Sequence, residues 1–344
     1  MRIVMLGGGG LAPFLRRLGH DVLTTGSPDA DVPLPNPVTM DALRERMASR
    51  SFVPDGLIHV DDGNIPCVDG VEEIPCPSIF YSIDTFCNPW HVPFSHAYDH
   101  VCVAQRDFLS MFEEEGVPAV WLPLFCKTAT ESAAPERWLA GRDVPVAFVG
   151  TLAPRNIPGR LPFLKAFRRL HPLLVRQGAY EPVFARARIV LNQTAVGEVN
   201  YRCFEAMGCG AALLTDSPLH GIGDLFVLGE EVLPPYGKGD AEGAAATVRQ
   251  WLASPRRLAE VASAGLAKVA RLHTAQVRAV QIEAVLAALL QKGAHGLRLA
   301  SLPERRRFVR AAYAMIVAEM PEEFEPYRQF FLHLVSKYDC LCAS

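Results

Sequence analysis

Residues 200–219 read NYRCFEAMGCGAALLTDSPL and predict a helix, a tight turn and a buried strand, in that order. Asn200 is a residue type that begins helices, and the glycines at 208 and 210 are of the type that ends them. The apolar run AALLT that follows is typical of a short core strand. Arg202 and Glu205 lie one turn apart, beside small residues that let another group approach the backbone. The stretch therefore predicts a binding site on a helix–turn–strand unit.

Strands and helices alternate through the first third of the chain. RIVML (2–6), a glycine turn, a helical segment and DVLTT (21–25) read as the first unit of a parallel α/β sheet. Further short apolar runs are LIHV (57–60), SIFYSI (78–83), HVCVA (100–104) and AVWLPL (119–124). We expect a doubly wound, Rossmann-like domain over residues 1–125.

The alternation begins again after a polar segment, residues 126–143, whose composition suits a linker. VAFVG (146–150), a helix from about residue 160 to 176, and IVLN (189–192) precede the quoted stretch. They predict a second domain over residues 144–292. The predicted fold class is α/β, with two Rossmann-like doubly wound domains.

Residues 293–344 are expected to form additional helices that pack back on the two domains. One helix is predicted to begin at a capping box from Ser301 to Glu304. Four arginines, at 305, 306, 307 and 310, make a local basic cluster at its start. A membrane-surface contact is one interpretation of this cluster and its apolar neighbours, and a helix that closes the two-domain unit is the other.

The composition describes an ordinary globular protein of 344 residues, half of them apolar, with a formal net charge of −3. A nucleic-acid-binding protein is usually basic, so no nucleic-acid partner is expected. No run of eighteen apolar residues occurs, which argues against a transmembrane segment. The nine cysteines include no CxxC pair and are expected to be reduced thiols in a cytoplasmic protein. Cys67, Cys76, Cys87 and His91 match no standard zinc spacing, so no metal is expected.

The glycine run near the N-terminus offers one functional hypothesis. Gly7, Gly9 and Ala12 fit the GxGxxA pattern of a dinucleotide-binding turn, which allows an NAD(P)-dependent oxidoreductase. An acidic residue is expected at the tip of the second strand, but Asp29 and Asp31 are displaced into the following loop. The alternative is that the glycines form a tight turn whose helix N-terminus faces a ligand.

Several motifs in order along the chain resemble GT-B glycosyltransferases, in particular the CgeB-like, spore-maturation-protein type. Those of the second half are FVG (148–150), RLPFL (160–164), ARARIVLNQTAVGEVNYRCFEAMGCGAALLTD (185–216), GIGDLF (221–226), GEE (229–231) and HTAQVR (273–278). Those of the first half are IDTFCNPWH (83–91), YDHVCVAQRDF (98–108) and VWLPL (120–124). The resemblance implies two domains facing each other across a cleft, with a sugar nucleotide held mainly by the second and an acceptor by the first.

The resemblance also implies roles for individual residues. Glu205 matches the glutamate that accepts hydrogen bonds from the two ribose hydroxyls. Arg160 and Arg202 are the candidates for the diphosphate, although Arg202 has the alternative of pairing with Glu198 or Glu205. Further donor-binding candidates are the glycines Gly9 and Gly150, and the anion nest of Gly221, Ile222 and Gly223. Arg155 is a secondary candidate.

Glu198 lies seven positions before Glu205, whereas many retaining relatives have two glutamates eight positions apart. Asn200 and Glu198 are therefore expected to share or replace the role near the transferred sugar, and the choice between retaining and inverting chemistry stays open.

Asp84 follows the SIFYSI strand, at the sheet edge where cleft residues belong, and is a candidate catalytic residue. His91 and His96 are candidates for a base or for hydrogen bonds to the sugar.

The function predicted from the sequence is a metal-independent glycosyltransferase without a cofactor. Its donor is a nucleoside diphosphate sugar of the UDP or GDP type, and its acceptor is a glycan, protein or small molecule. An NAD(P)-dependent oxidoreductase and a non-catalytic nucleotide-sugar-binding protein are the alternatives.

Overall fold

Parallel strands flanked by helices build the chain in a computed structural model that describes residues 1–26, 29–33, 38–63, 68–152, 157–217, 220–321 and 324–343. The chain divides into two units: unit 1 combines residues 1–122 with residues 278–344, and unit 2 spans residues 123–277. The predicted α/β fold class is confirmed. Arg155 and Cys67 lie outside the described residues.

Unit 1 begins with a sheet that the predicted apolar runs supply. The strands of unit 1 are β1 (Arg2–Gly7), β2 (Asp21–Thr25), β3 (Val38–Thr39), β4 (Gly56–Val60), β5 (Val68–Asp69), β6 (Ser78–Ser82), β7 (His100–Val103) and β8 (Ala119–Trp121). The helices among them are α1 (Ala12–Arg17), α2 (Met40–Ala48), α3 (His91–Phe94) and α4 (Leu109–Glu114). Six strands form a parallel sheet in the order β2-β1-β4-β6-β7-β8, while β3 pairs with β5. Every residue of β4 and β6 is buried, because helices or loops cover both faces of such a sheet.

Unit 2 contains the second parallel sheet. Its strands are β9 (Val144–Val149), β10 (Leu174–Arg176), β11 (Ala187–Leu191), β12 (Ala212–Leu214), β13 (Asp216–Ser217) and β14 (Tyr236–Gly237). Its helices are α5 (Pro135–Ala140), α6 (Arg160–Leu170), α7 (Glu181–Phe184), α8 (Tyr201–Gly208), α9 (Ile222–Leu225), α10 (Ala241–Leu252) and α11 (Pro255–Leu272). The main sheet has the order β10-β9-β11-β12. The carboxyl ends of β9, β11 and β12 therefore share one edge.

The polar segment 126–143, predicted to be a linker, is an ordered part of unit 2. Trp138 is buried, and its indole nitrogen donates a hydrogen bond of 2.7 Å to the carbonyl of Gly210. The buried guanidinium of Arg142 donates to the carbonyls of Phe184, Ala187 and Cys209. These hydrogen bonds attach the segment to the rest of unit 2. They also supply partners for carbonyl groups at the ends of helices and strands.

The last helices of the chain belong to unit 1, apart from residues 275–277 at the start of α12. They are α12 (Ala275–Lys292), α13 (Ala294–Ala300), α14 (Leu302–Glu319) and α15 (Glu325–Ala343). Side chains of α14 and α15, Tyr313 and Tyr338 among them, join the core formed around Phe80 and Phe94. The predicted boundary at residue 292 differs from this division, since Leu286 of α12 already packs against the backbone of Gly56. No described helix is both long and apolar enough to cross a membrane.

Arginines fasten these helices to unit 1. Arg298 is fully buried; it lies 3.1 Å from the Asp99 carboxylate and donates to the carbonyls of Glu72, Ile74 and Cys76. Within the basic cluster, Arg305 bonds the carbonyls of His96 and Tyr98, Arg306 pairs with Glu72 and Glu73, and Arg310 pairs with Asp339. These partners favour a helix that packs on the protein over a membrane-surface contact. The predicted capping box does not form, because the Ser301 hydroxyl donates to the carbonyls of Leu297 and Arg298.

Candidate functional site

Helix α8 begins where the sequence predicts, but Asn200 does not cap it with its side chain. The residue has the extended backbone of an N-cap. Its amide instead lies 3.3 Å from the Asn192 side-chain oxygen and 3.5 Å from a carboxylate oxygen of Glu198. Asn200 therefore connects the helix to the loop that follows β11.

Arg202 projects from the first turn of α8 toward the carboxyl end of β9. Its Nε donates to the carbonyl of Val149 at 2.8 Å, and an NH group donates to Asn192 Oδ1 at 2.6 Å. The guanidinium carbon lies 4.4 Å from the centre of the Phe148 ring. Gly150 makes room for this approach, because a Cβ there would collide with the guanidinium. The predicted alternative of an Arg202 ion pair with Glu198 or Glu205 does not occur within ion-pair distance among the described residues.

Arg160 is the first residue of α6 and is nearly fully buried. Its nitrogens donate to the side-chain oxygen of Gln193 at 3.1 Å, to the Gln193 carbonyl at 3.0 Å and to the Thr151 carbonyl at 3.0 Å. Its guanidinium carbon lies 5.7 Å from the centre of the same Phe148 ring. Burial and the neighbouring Arg202 lower the pKa of Arg160 to about 10, so the group stays charged at neutral pH.

The two guanidiniums form a cationic pair at the carboxyl edge of the second sheet. Their hydrogen-bond acceptors are all neutral oxygens, from three backbone carbonyls and two side-chain amides. Neither arginine has a carboxylate within ion-pair distance among the described residues. Two partly desolvated positive charges, held side by side with described carboxylates such as Glu198 and Glu205 nearby but none of them in direct contact, favour the binding of an anion.

Glu205 lies one turn further along α8 and is half-buried. Burial raises the pKa of its carboxyl to about 7; Arg202 opposes that shift and Glu181 adds to it. No described residue donates a hydrogen bond to this carboxylate. Its acceptor oxygens are therefore available to a ligand's hydroxyl groups.

Glu198, predicted to lie near the transferred sugar, is 4% exposed. Its carboxylate accepts the backbone N–H groups of Ala195 and Val196 at 2.8–3.0 Å. These bonds close the turn between β11 and α8, and they give the carboxylate a structural task. Thr194 ties the same turn to the buried Asp216, to which its hydroxyl donates at 3.0 Å.

The predicted anion nest of Gly221, Ile222 and Gly223 begins the short helix α9. Gly221 has a φ of 84°, a left-handed conformation that favours glycine. The first N–H groups of a helix have no partner inside it, so this turn presents donors.

Asp84 follows β6 in unit 1, as predicted. Its backbone N–H donates to the carboxylate of Asp61 at 2.8 Å, and its own carbonyl accepts from Cys87 and Asn88. Asp61 also accepts the N–H groups of Ile83 and Gly63, so one buried carboxylate holds the ends of β4 and β6 together.

His91 is fully buried under Trp90 and Phe80, and its Nδ1 lies 2.8 Å from the Ser82 hydroxyl. Burial lowers the pKa of His91 to about 3, which makes it a neutral packing residue rather than an exposed base. His96 stacks on Phe308, and burial lowers its pKa to about 4.

Gly9 begins a 3₁₀ turn that precedes α1 and is exposed. Gly7, at the end of β1, has a φ of 74°, and a Cβ there would collide with the Val60 carbonyl. Packing of β1 against β4 therefore accounts for this glycine without a ligand. The carboxylate of Asp31, one of the two acidic residues after the second strand, accepts hydrogen bonds from Thr24 and Arg16.

The sequence does not predict three residues of the candidate site: Phe148, Asn192 and Gln193. Phe148 has the pattern of an ordinary core residue of a buried strand. The signal that could have revealed the other two is a pair of consecutive amide side chains directly after a parallel strand, at the edge where ligands bind.

Comparisons with known proteins agree with this architecture. Residues 142–284 match the family model described as glycosyl transferase-like. No curated protein matches the chain. Similar solved structures include sucrose-phosphate synthase from Thermosynechococcus elongatus, with a TM-score of 0.62 and 12% identity over 85% of this chain and 100% of that one.

Two other solved structures share the fold at comparable levels. HepE of Anabaena, in complex with UDP and glucose, has a TM-score of 0.59 and 13% identity over 84% of this chain and 100% of its own. A UDP-forming trehalose-phosphate synthase from Burkholderia xenovorans has a TM-score of 0.59 and 11% identity over 83% and 98%. The chain therefore has the fold of the GT-B glycosyltransferases, and its residues 142–284 are similar to the glycosyl transferase-like family.

Proposed function

We propose that this protein is a glycosyltransferase that moves a sugar from a nucleoside diphosphate sugar to an acceptor. The observation that carries the proposal is the pair formed by Arg160 and Arg202, which meets only neutral oxygens among the described residues. A diphosphate supplies the direct anionic partner that this pair lacks among the described residues, and guanidinium groups bind phosphate oxygens two donors at a time. Each such contact contributes about 1.5–3 kcal/mol.

Glu205 completes the donor site in this proposal. It lies on the same helix as Arg202, where a carboxylate with two acceptor oxygens suits the adjacent hydroxyl pair of a ribose. Because hydroxyl donors stabilise the ionised form, donor binding lowers the raised pKa of Glu205.

Solved structures with this fold support a UDP-type donor. HepE is seen with UDP and glucose, and also with UDP-glucose, while the Burkholderia enzyme is described as UDP-forming. We propose UDP first and GDP second as the donor nucleotide, with a hexose as the transferred group. The CgeB-like type, suggested by the motifs between residues 185 and 216, is part of the same proposal.

The proposed reaction breaks the bond between the anomeric carbon and the diphosphate oxygen and forms one from that carbon to an acceptor oxygen. Arg160 and Arg202 stabilise the charge that develops on the departing diphosphate, without a metal ion. The acceptor proton passes to a carboxylate base in an inverting reaction or to the leaving phosphate in a retaining one. The buried, neutral His91 takes no proton in this scheme and supports the β6 edge through Ser82.

A thermal-shift titration tests the donor site. UDP or GDP is expected to raise the melting temperature of the wild type, and Arg202→Ala and Glu205→Ala are expected to weaken that shift. NAD(H) in place of the nucleotides tests the oxidoreductase alternative on the N-terminal glycines. Stabilisation by NAD(H) but by neither UDP nor GDP would overturn the glycosyltransferase proposal, and equal shifts in all three proteins would remove Arg202 and Glu205 from the site.

The engagement of Glu198 in a turn favours one second candidate, a nucleotide-sugar-binding protein without turnover. Hydrolysis of UDP-glucose or GDP-mannose separates the two. Release of the free nucleotide supports the enzyme, whereas tight binding without release under any acceptor condition supports the binding protein.

A further inference from the structure

We propose that the consecutive side-chain amides Asn192 and Gln193 are a positioning pair, which holds both guanidiniums of the site without adding a carboxylate in direct contact with them. The inference rests on the proposed function and adds to it the residues that prepare the arginines for the diphosphate. Asn192 Oδ1 lies 2.6 Å from an NH group of Arg202, and Gln193 Oε1 lies 3.1 Å from Arg160 Nε. Both amide residues are almost completely buried.

The surroundings fix which end of the Asn192 amide faces Arg202. Its NH₂ group donates to the Thr215 hydroxyl at 3.1 Å and contacts the Cys203 sulfur at 3.4 Å. Only the oxygen is left to point toward the guanidinium. The backbone carbonyl of Asn192 accepts the Tyr236 hydroxyl at 2.6 Å, which anchors the residue itself.

The other nitrogens are restrained as well. The backbone carbonyl of Val149 accepts a hydrogen bond from Arg202 Nε, and the backbone carbonyl of Gln193 accepts one from an NH group of Arg160. Arg202 thus uses two of its five N–H donors, and Arg160 uses three, on protein oxygens. The remaining N–H donors of both guanidiniums are held in place but bond no described residue. Because the two side chains are already ordered, binding a ligand costs less conformational entropy.

The neutrality of the amides is the essential point. A carboxylate of the same size at position 192 or 193 would accept the same hydrogen bond but would also form a buried ion pair. The counter-charge would then come from the protein, and the attraction for a diphosphate would fall. The amide thus positions the cation without competing with the ligand for its charge.

The test measures UDP and GDP affinity by calorimetry for Asn192→Asp and Gln193→Glu at several salt concentrations. We expect each variant to raise the dissociation constant at least tenfold and to flatten its dependence on salt, because one positive charge is neutralised. Gln250→Glu adds the same charge at an exposed position of α10 and should bind as the wild type does. Thr215→Val removes the partner of the Asn192 NH₂ group without adding charge and should keep the wild-type salt dependence.

Each outcome decides the matter. Wild-type affinity in both acidic variants overturns the inference while the proposed function stands. Weaker binding with an unchanged salt dependence also overturns it, since the amides would then matter only for local structure. Failure of the wild type to bind UDP and GDP removes the proposed function and the inference together.

Asn192→Ala and Gln193→Ala cover the case in which an acidic variant does not fold. They remove the acceptor without adding charge, and we expect three- to tenfold weaker binding with the wild-type salt dependence. Wild-type affinity in both alanine variants would overturn the inference.

Discussion

The carboxyl of Glu205 is half-buried, and the positive charge of Arg202 only partly offsets the free-energy cost of desolvating its ionised form. Burial raises its pKa to about 7, whereas the unfolded chain gives it an ordinary value of 4.5. The folded protein therefore binds more protons than the unfolded chain between these pH values. Stability linked to Glu205 is present below the unfolded pKa and is lost as the pH rises through the folded one.

Replacing Glu205 by glutamine should therefore stabilise the free protein at alkaline pH. We expect Glu205→Gln to raise the free energy of unfolding by about 1–3 kcal/mol at pH 8 and by less at pH 5, measured by chemical denaturation. Glu230→Gln, at an exposed position, should show no such pH-dependent gain. The same Glu205→Gln protein should bind UDP more weakly, because an amide offers one acceptor oxygen instead of two. A stability gain that does not grow with pH would contradict the assigned environment of Glu205.

At the scale of secondary-structure elements, the close contact between the end of β9 and helix α8 determines the geometry of the site. Gly150 has a φ of 156° and faces the Arg202 guanidinium at a distance that leaves no room for a Cβ. The strand end, the helix and the Phe148 ring thus determine where the cation lies.

Gly150→Ala tests that contact. The methyl group should displace Arg202, weaken UDP binding about tenfold or more, and lower the free energy of unfolding by about 1–3 kcal/mol through backbone strain. Gly159→Ala provides the control, because a Cβ at that position meets no atom within 4 Å. Calorimetric titration and denaturation of both variants measure the effects, and unchanged UDP affinity in Gly150→Ala would show that Arg202 need not occupy this place.

The sequence predicted most strands correctly because buried parallel strands are apolar runs bounded by turn residues. It missed β10, which lies inside the helix predicted from 160 to 176; Pro172 ends α6 early, and three residues are too few to show a period. Arg202 and Glu205 could be predicted to lie one turn apart on a helix because that spacing is local. The contact between Gln193 and Arg160 joins segments 33 residues apart, which local patterns do not contain. The Glu198 turn is local, but its carboxylate bonds two backbone N–H groups, which no residue pattern marks.

At the scale of the whole molecule, unit 1 is built from two segments that are distant in sequence, residues 1–122 and 278–344. Arg298, from α13, is buried against Asp99 and against three carbonyls of residues 72–76. Asp99 also accepts from Ser78, so removal of the arginine leaves a buried carboxylate without its cation.

We expect Arg298→Leu to destabilise the protein by about 3–5 kcal/mol, the usual effect of breaking a buried ion pair from one side. Arg307→Leu, on the exposed face of α14, should change the free energy of unfolding by less than about 0.5 kcal/mol. Urea denaturation followed by circular dichroism measures both. Similar midpoints for the two variants would show that Arg298 does not fasten α13 to unit 1.

The discontinuity of unit 1 has a consequence for biosynthesis. Residues 123–277 emerge from the ribosome before Arg298, Tyr313 and Tyr338, so unit 2 has all of its chain while unit 1 still lacks these and other inner side chains of its last helices. During that interval the nascent first half exposes the apolar surface later covered by α14 and α15, and it is then that a chaperone has most to protect.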